Sequence, residues 1–254
     1  MRYIITHGHI FKNAGSTFDS ALKKAFGNDF CDHRDDKSMR KGREDYLDEF
    51  IMDNPNLKAI ASHHLCNPLP VSKHYTCLPV FFLRNPIERV VSVYNFEKKQ
   101  PISSLGSKMA KKLSLVDYVK WRMQPDIPKV ISNYQTAYIG SSQNLMPHEG
   151  VGLDIFNASV GRISNEAVFT GLVEQFAESF LALSEHLKKY FPDIEFNFKQ
   201  TNVADSSKPE EKYIRALDLL RPVLPLLISE NAYDLQLHNI ALANLNRSLL
   251  NLES

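Results

Sequence analysis

The chain has 254 residues, 43% hydrophobic and 23% charged, with 30 Lys and Arg against 29 Asp and Glu. A net charge of +1 argues against a protein that coats nucleic acid, because such proteins carry a visible basic excess, so any anion must be gripped locally. Three cysteines, Cys31, Cys66 and Cys77, show no CxxC pair and no matching His spacing, which indicates neither a disulfide framework nor a metal site.

A chain of this length buries roughly 75% of its unfolded surface without staples. One α/β domain over residues 1–254 is expected. No apolar run approaches the roughly 18 residues of a membrane span, and the opening MRYIITHGH turns polar too soon for a signal peptide. A cytoplasmic protein is the expectation, and the sequence carries no signal of oligomeric state.

Short apolar segments predict strands at Tyr3 to Thr6, Ala59 to Ser62, Pro79 to Leu83 and Ala167 to Thr170, with a weaker one at Glu195 to Phe198. Helical spacing predicts helices at Ser16 to Phe26, Pro86 to Lys99, Leu115 to Met123, Lys129 to Tyr138, Gln175 to Tyr190, Pro209 to Leu220 and Ala232 to Leu250. This alternation predicts a mostly parallel sheet flanked by helices. Asp29 to Asp53, dense in mixed charge, reads as a solvated loop and helix. Lys98 to Arg122 carries seven Lys and Arg against Asp117, and reads either as a solvated face or as a local strip for an acidic ligand.

HGHIFKNAGSTF, residues 7 to 18, leaves the first strand and enters a helix. Gly15 lets a ligand approach the backbone, Ser16 and Thr17 supply hydroxyls, and the first-turn N–H groups point outward. Lys12 adds the charge. A Walker nucleotide loop needs Lys directly after its second Gly, where this chain has Ser16, so nucleotide triphosphate hydrolysis is not expected. By itself the element reads equally as a capped strand-to-helix turn.

LRNPIERVVSVYNF, residues 83 to 96, repeats the arrangement, with Asn85 as N-cap and Pro86 as first helical residue. Arg84 stands at a strand's C-terminal end, where open α/β sheets bind ligands. With Ser92 it could close on one phosphate, or it could be an ordinary surface charge.

Together, HIFKNAGST and FLRNPIERVVSVY resemble the two signatures of sulfotransferases that use 3′-phosphoadenosine-5′-phosphosulfate (PAPS), and specifically the carbohydrate branch that includes the heparan sulfate O-sulfotransferases. IASHHL, SNYQTAYIG, FTGLVEQFAESF and ENAYDLQLHNIA resemble further family segments in order. Phe11, Asn13, His63 and His238 depart from the usual Pro, Thr, Gly and Tyr.

The resemblance implies a P-loop-type three-layer fold and a metal-free transfer of sulfuryl from PAPS to a hydroxyl or amine of a glycan or polysaccharide. It assigns the 5′-phosphosulfate to Lys12, Asn13, Ala14, Gly15, Ser16 and Thr17, and the 3′-phosphate to Arg84 and Ser92. Lys208, in the polar segment TNVADSSK, is a further expected contact. Lys12 would stabilise the leaving phosphate, and His64 would be the general base. If the strand persists through them, alternation lets only one of His63 and His64 face the crevice. His9 matches a bracing position, and Glu174 is the second candidate base. The alternatives are a P-loop-fold nucleotide kinase and a catalytically inactive glycan-binding relative.

Overall fold

The computed structural model describes residues 1–141, 150–196 and 208–253. Its sheet comprises β1 (Arg2–Gly8), β2 (Phe30–His33), β3 (Ala59–Ser62), β4 (Tyr75–Leu83) and β5 (Phe169–Leu172), in the order β2-β3-β1-β4-β5. Every neighbouring pair is parallel. The helices are α1 (Gly15–Phe26), α2 (Asp36–Asp53), α3 (Pro86–Lys99), α4 (Leu105–Lys112), α5 (Leu115–Arg122), α6 (Tyr134–Gly140), α7 (Leu153–Ile163), α8 (Phe176–Lys188), α9 (Pro209–Leu220), α10 (Leu224–Glu230) and α11 (Ala232–Glu253). This is the three-layer α/β arrangement that the sequence predicts, and among the described residues no helix is long and apolar enough to cross a membrane.

Neighbouring residues of a strand serve opposite layers. Ile5 packs with Phe18 and Leu22 of α1 and with Phe180 and Leu183 of α8. Ile4 packs with Met39, Leu47 and Ile51 of α2 on the other face. Strands buried on both faces read as continuous apolar runs, which is why β1, β3 and the second half of β4 were visible as such, whereas β4 begins four residues earlier than expected, at Tyr75.

Several readings need correction. Within the stretch taken for loop and helix, FCDH forms the edge strand β2; at four residues, half-exposed and polar at Asp32, it has no apolar run to announce it. The helix expected at Lys129 to Tyr138 starts only at Tyr134, because Asn133 adopts a left-handed backbone (φ 44°) at its N-cap. Helices α4, α7 and α10 were not predicted. β5 begins two residues later than expected. Glu195 and Phe196 are not in a strand, and the rest of that weak candidate lies outside the described residues.

Asn133 has a tertiary task. Its Oδ1 accepts hydrogen bonds from the Tyr233 and Asp234 amides at 3.0 Å, capping α11. In return the Asp234 carboxylate, 1% exposed, accepts from the Thr136 amide at 2.8 Å, the Thr136 hydroxyl at 2.7 Å and the Gln135 amide at 3.2 Å, capping α6. Asp234→Ala strands these buried donors, each costing about 1–3 kcal/mol when left unpaired. A loss of about 3 kcal/mol or more is expected in urea unfolding, read as a fall in midpoint at constant slope.

Candidate active site

Because the strands are parallel, their C-terminal ends gather on one edge. The loop after β1, the turn after β3, Arg84 after β4 and Glu174 after β5 all open there. The chain runs outward from β1 to one side of the sheet and from β4 to the other, so the β1 and β4 loops flank the switch point where such folds bind ligands.

The first loop is strained on purpose. Lys12 (φ 68°) and Ala14 (φ 58°) hold left-handed backbones, each costing roughly 1–2 kcal/mol for a residue other than glycine. Strain of this kind persists where surrounding structure enforces it and clusters at ligand sites. Gly15 opens α1 because a Cβ there would lie 2.2 Å from the His9 ring. Ser16 is exposed at the first turn, and Thr17 is buried behind it.

Asn13 is buried, and its Nδ2 donates to the Phe82 carbonyl at 2.8 Å and to Gln135 Oε1 at 2.6 Å. That same Oε1 accepts from the Arg84 amide at 2.8 Å, while Gln135 Nε2 donates to the Arg84 carbonyl at 2.9 Å. One fully buried glutamine of α6 therefore ties both turns together. Sequence reading assigned it no role; the available signal was a lone amide on an otherwise apolar helical face.

Arg84 Nη1 lies 3.5 Å from the Lys12 carbonyl, so the two turns meet. Its Nη2 is 3.6 Å from Glu88, and its Nε is buried without a partner. Arg89, 1% exposed, donates to the Phe11 carbonyl at 3.1 Å and the Val130 carbonyl at 2.8 Å, with Nη2 also buried and unpartnered. Ser92 is half-buried on α3, one turn beyond Arg89. Lys208 is exposed at the N-cap of α9, and Thr201 to Ser207 lie outside the described residues.

Beneath the loop, Asp19 of α1 joins two imidazoles: His7 Nδ1 lies 2.7 Å from Oδ1, and His9 Nδ1 lies 2.8 Å from Oδ2. Burial opposes its charge, yet His7 and His9 hold the carboxyl well below the usual carboxylate range. Burial in turn lowers His7, against the pull of Asp19. These three residues cluster as metal ligands do. In this structure both Asp19–imidazole separations are those of hydrogen bonds. The cluster is a hydrogen-bonded brace for the loop.

The two histidines after β3 diverge. The His63 ring packs on His9 at 4.1 Å, and its Nδ1 lies 2.9 Å from the His9 carbonyl, so that nitrogen carries the proton. Burial and His9 push it down to about 4. His64 is less enclosed, with Nε2 3.7 Å from Asp36 at the start of α2. Burial lowers His64 as well, with Asp36 opposing.

The buried neutral His63 has a consequence for stability. An unfolded histidine takes up its proton near 6.5, so between about pH 6.5 and pH 4 the unfolded chain binds more protons than the folded one. The contribution is complete above that window and is lost as pH falls through it. His186, pushed to about 4 by burial and Lys189, acts in the same direction. Urea midpoints are expected to drop across the window, and to drop less in His63→Gln.

Glu174 is fully engaged. Its Oε1 accepts from the Asn85 amide at 2.7 Å, and its Oε2 lies 3.3 Å from His238 Nε2. Burial pushes it up, but His238 and that amide more than offset this and hold it below the usual range. It anchors the start of α3.

The basic strip is smaller than the sequence suggested. Arg122 is buried, bonded to Glu97 at 2.6 Å and to the Tyr118 hydroxyl at 2.8 Å. Lys98, Lys99, Lys108, Lys111, Lys112 and Lys120 are exposed.

The sequence profile of the sulfotransferase family matches residues 1–136, which contain the Lys12 loop, both histidines, Arg84 and Gln135. The chain belongs to the sulfotransferase family. It is also similar to a protein of Archaeoglobus fulgidus described as uncharacterized, 28% identical over 208 residues that cover 80% of each chain.

Proposed function

We propose that residues 1–254 act as a single PAPS-dependent sulfotransferase domain of the carbohydrate branch, with a glycan or polysaccharide hydroxyl or amine as acceptor. The observation that carries this reading is the meeting of Lys12 and Arg84, both only part-buried, at the switch point. An accessible lysine and arginine beside a strained, glycine-led helix start suit a doubly anionic nucleotide. The donor supplies an activated sulfuryl group on a phosphate leaving group.

In this reading Arg84 and Ser92 bind the 3′-phosphate, with Lys208 a further contact, while Lys12, Asn13, Ala14, Gly15, Ser16 and Thr17 form the 5′ pocket. His64 takes the proton from the acceptor as its oxygen or nitrogen bonds to sulfur. Lys12 and the first-turn amides of α1 neutralise the electron pair that stays on the bridging oxygen as its bond to sulfur breaks. His64 is favoured over His63 because burial makes His63 too weak a base near neutrality, and over Glu174 because both of its oxygens are engaged. The exposed lysines of α3, α4 and α5 supply a positive surface for the acceptor.

Calorimetry with adenosine 3′,5′-bisphosphate tests the donor half, and labelled-sulfate transfer to a panel of glycans tests the acceptor half. Saturable binding and transfer are expected. Absence of nucleotide binding would overturn the reading at its root.

A further inference from the structure

The ammonium of Lys12 has an unusual neighbourhood. Among the described residues no carboxylate pairs with it, and the charges around it are Arg84 at the end of β4 and Arg89 and Lys99 of α3, all of its own sign. Burial and these cations pull it below its ordinary value. It lies over the face of Phe96, whose ring centroid is 4.3 Å from Nζ. Phe11, of the same loop, packs edge-on against that ring at 5.3 Å and fixes its tilt. Phe96 follows Ser92 by one turn of α3, on the helix face that begins at Arg89. At 36% exposed, it is a large apolar side chain spent at the surface on a lysine.

We propose that Phe96 is a positioning residue for Lys12: the negative face of its ring keeps the ammonium extended over the first loop, ready for the leaving group. An aromatic face attracts a cation through its quadrupole, most strongly when the pair is partly desolvated. Without that attraction, repulsion from Arg84, Arg89 and Lys99 and the cost of burial drive the ammonium outward. Leaving-group stabilisation depends on charge that is in place before the bond breaks. The inference rests on the donor reading of this loop.

Two substitutions separate the π face from bulk. Phe96→Leu keeps an apolar side chain and removes the face; Phe96→Tyr keeps the face. Reductive ¹³C-dimethylation of the full chain, with the Lys12 resonance assigned through Lys12→Arg, reads the contact directly. The Lys12 methyls are expected to be ring-shifted upfield in wild type and in Phe96→Tyr and unshifted in Phe96→Leu, with their titration midpoint lowered in Phe96→Leu. In labelled-sulfate transfer, Phe96→Leu is expected to lower kcat about three- to tenfold with the donor KM little changed, and Phe96→Tyr to restore it.

A Lys12 resonance that is unshifted in wild type, or unaltered in Phe96→Leu, overturns the contact. A lost contact with unchanged kcat overturns the positioning role. Wild-type protein that binds no adenosine 3′,5′-bisphosphate overturns the donor reading and the catalytic role of Phe96 with it, while the lysine resonances still decide the contact.

Discussion

Alanine at position 64 is expected to lower sulfuryl turnover about 10²- to 10⁴-fold, the usual worth of a positioned general base, with nucleotide affinity little changed. The split follows from geometry. His64 faces Asp36 of α2, and no hydrogen bond or ion pair joins it to the donor loop among the described residues. His63 is different: its ring lies on His9, which lies on Gly15, so His63→Ala disturbs the donor pocket and weakens nucleotide binding.

A pH–rate profile adds an independent check. A base works when neutral, and burial holds His64 below its ordinary value, so with His64 in the proposed role the acid limb of kcat/KM is expected below the usual histidine range. Asp36 opposes that shift, and Asp36→Asn therefore moves the limb to still lower pH. An unmoved limb in Asp36→Asn, together with undiminished turnover in His64→Ala, would assign the base to another group.

The second large effect is expected on affinity. Arg84→Ala removes the guanidinium proposed to hold the 3′-phosphate; such charge-assisted hydrogen bonds are each worth about 1.5–3 kcal/mol, so a loss of roughly 10- to 150-fold in binding of adenosine 3′,5′-bisphosphate is expected. Arg84→Lys keeps the charge but not the planar fork, and recovers only part of it. Glu88 complicates the alanine variant. It is buried near Glu174, which together with burial already raises it, and Arg84 is the partner that holds it down. Thermal unfolding alongside calorimetry separates lost affinity from lost fold. Equal affinity in wild type and Arg84→Ala would remove Arg84 from the donor site.

Much of this site was legible because its parts are local. The loop that ends in Gly15, Ser16 and Thr17 joins a strand to a helix, and Arg84 stands between the apolar PVFFL and an Asn-Pro helix start, so spacing marks both as strand-to-helix turns and the family resemblance supplies their role. The supports were not legible, because they arise only when distant segments meet. Gln135 bonds Asn13 across 122 positions, and Asp19 acquires its role only when α1 folds back under His7 and His9. Phe96 read as one more apolar residue of a helix until Lys12 lay over it. Edge strand β2 escaped for a simpler reason: FCDH is too short and too polar to show a period.

The interlocked helix starts of α6 and α11 bear on how this protein can be taken apart. The family profile ends at residue 136, one position after the glutamine that joins the two turns, yet that glutamine's own amide is seated by Asp234 near the far end of the chain. A fragment cut at the homology boundary would keep the signature letters and forfeit their keystone. Grafting this pocket onto another scaffold means carrying the closing helix along with it.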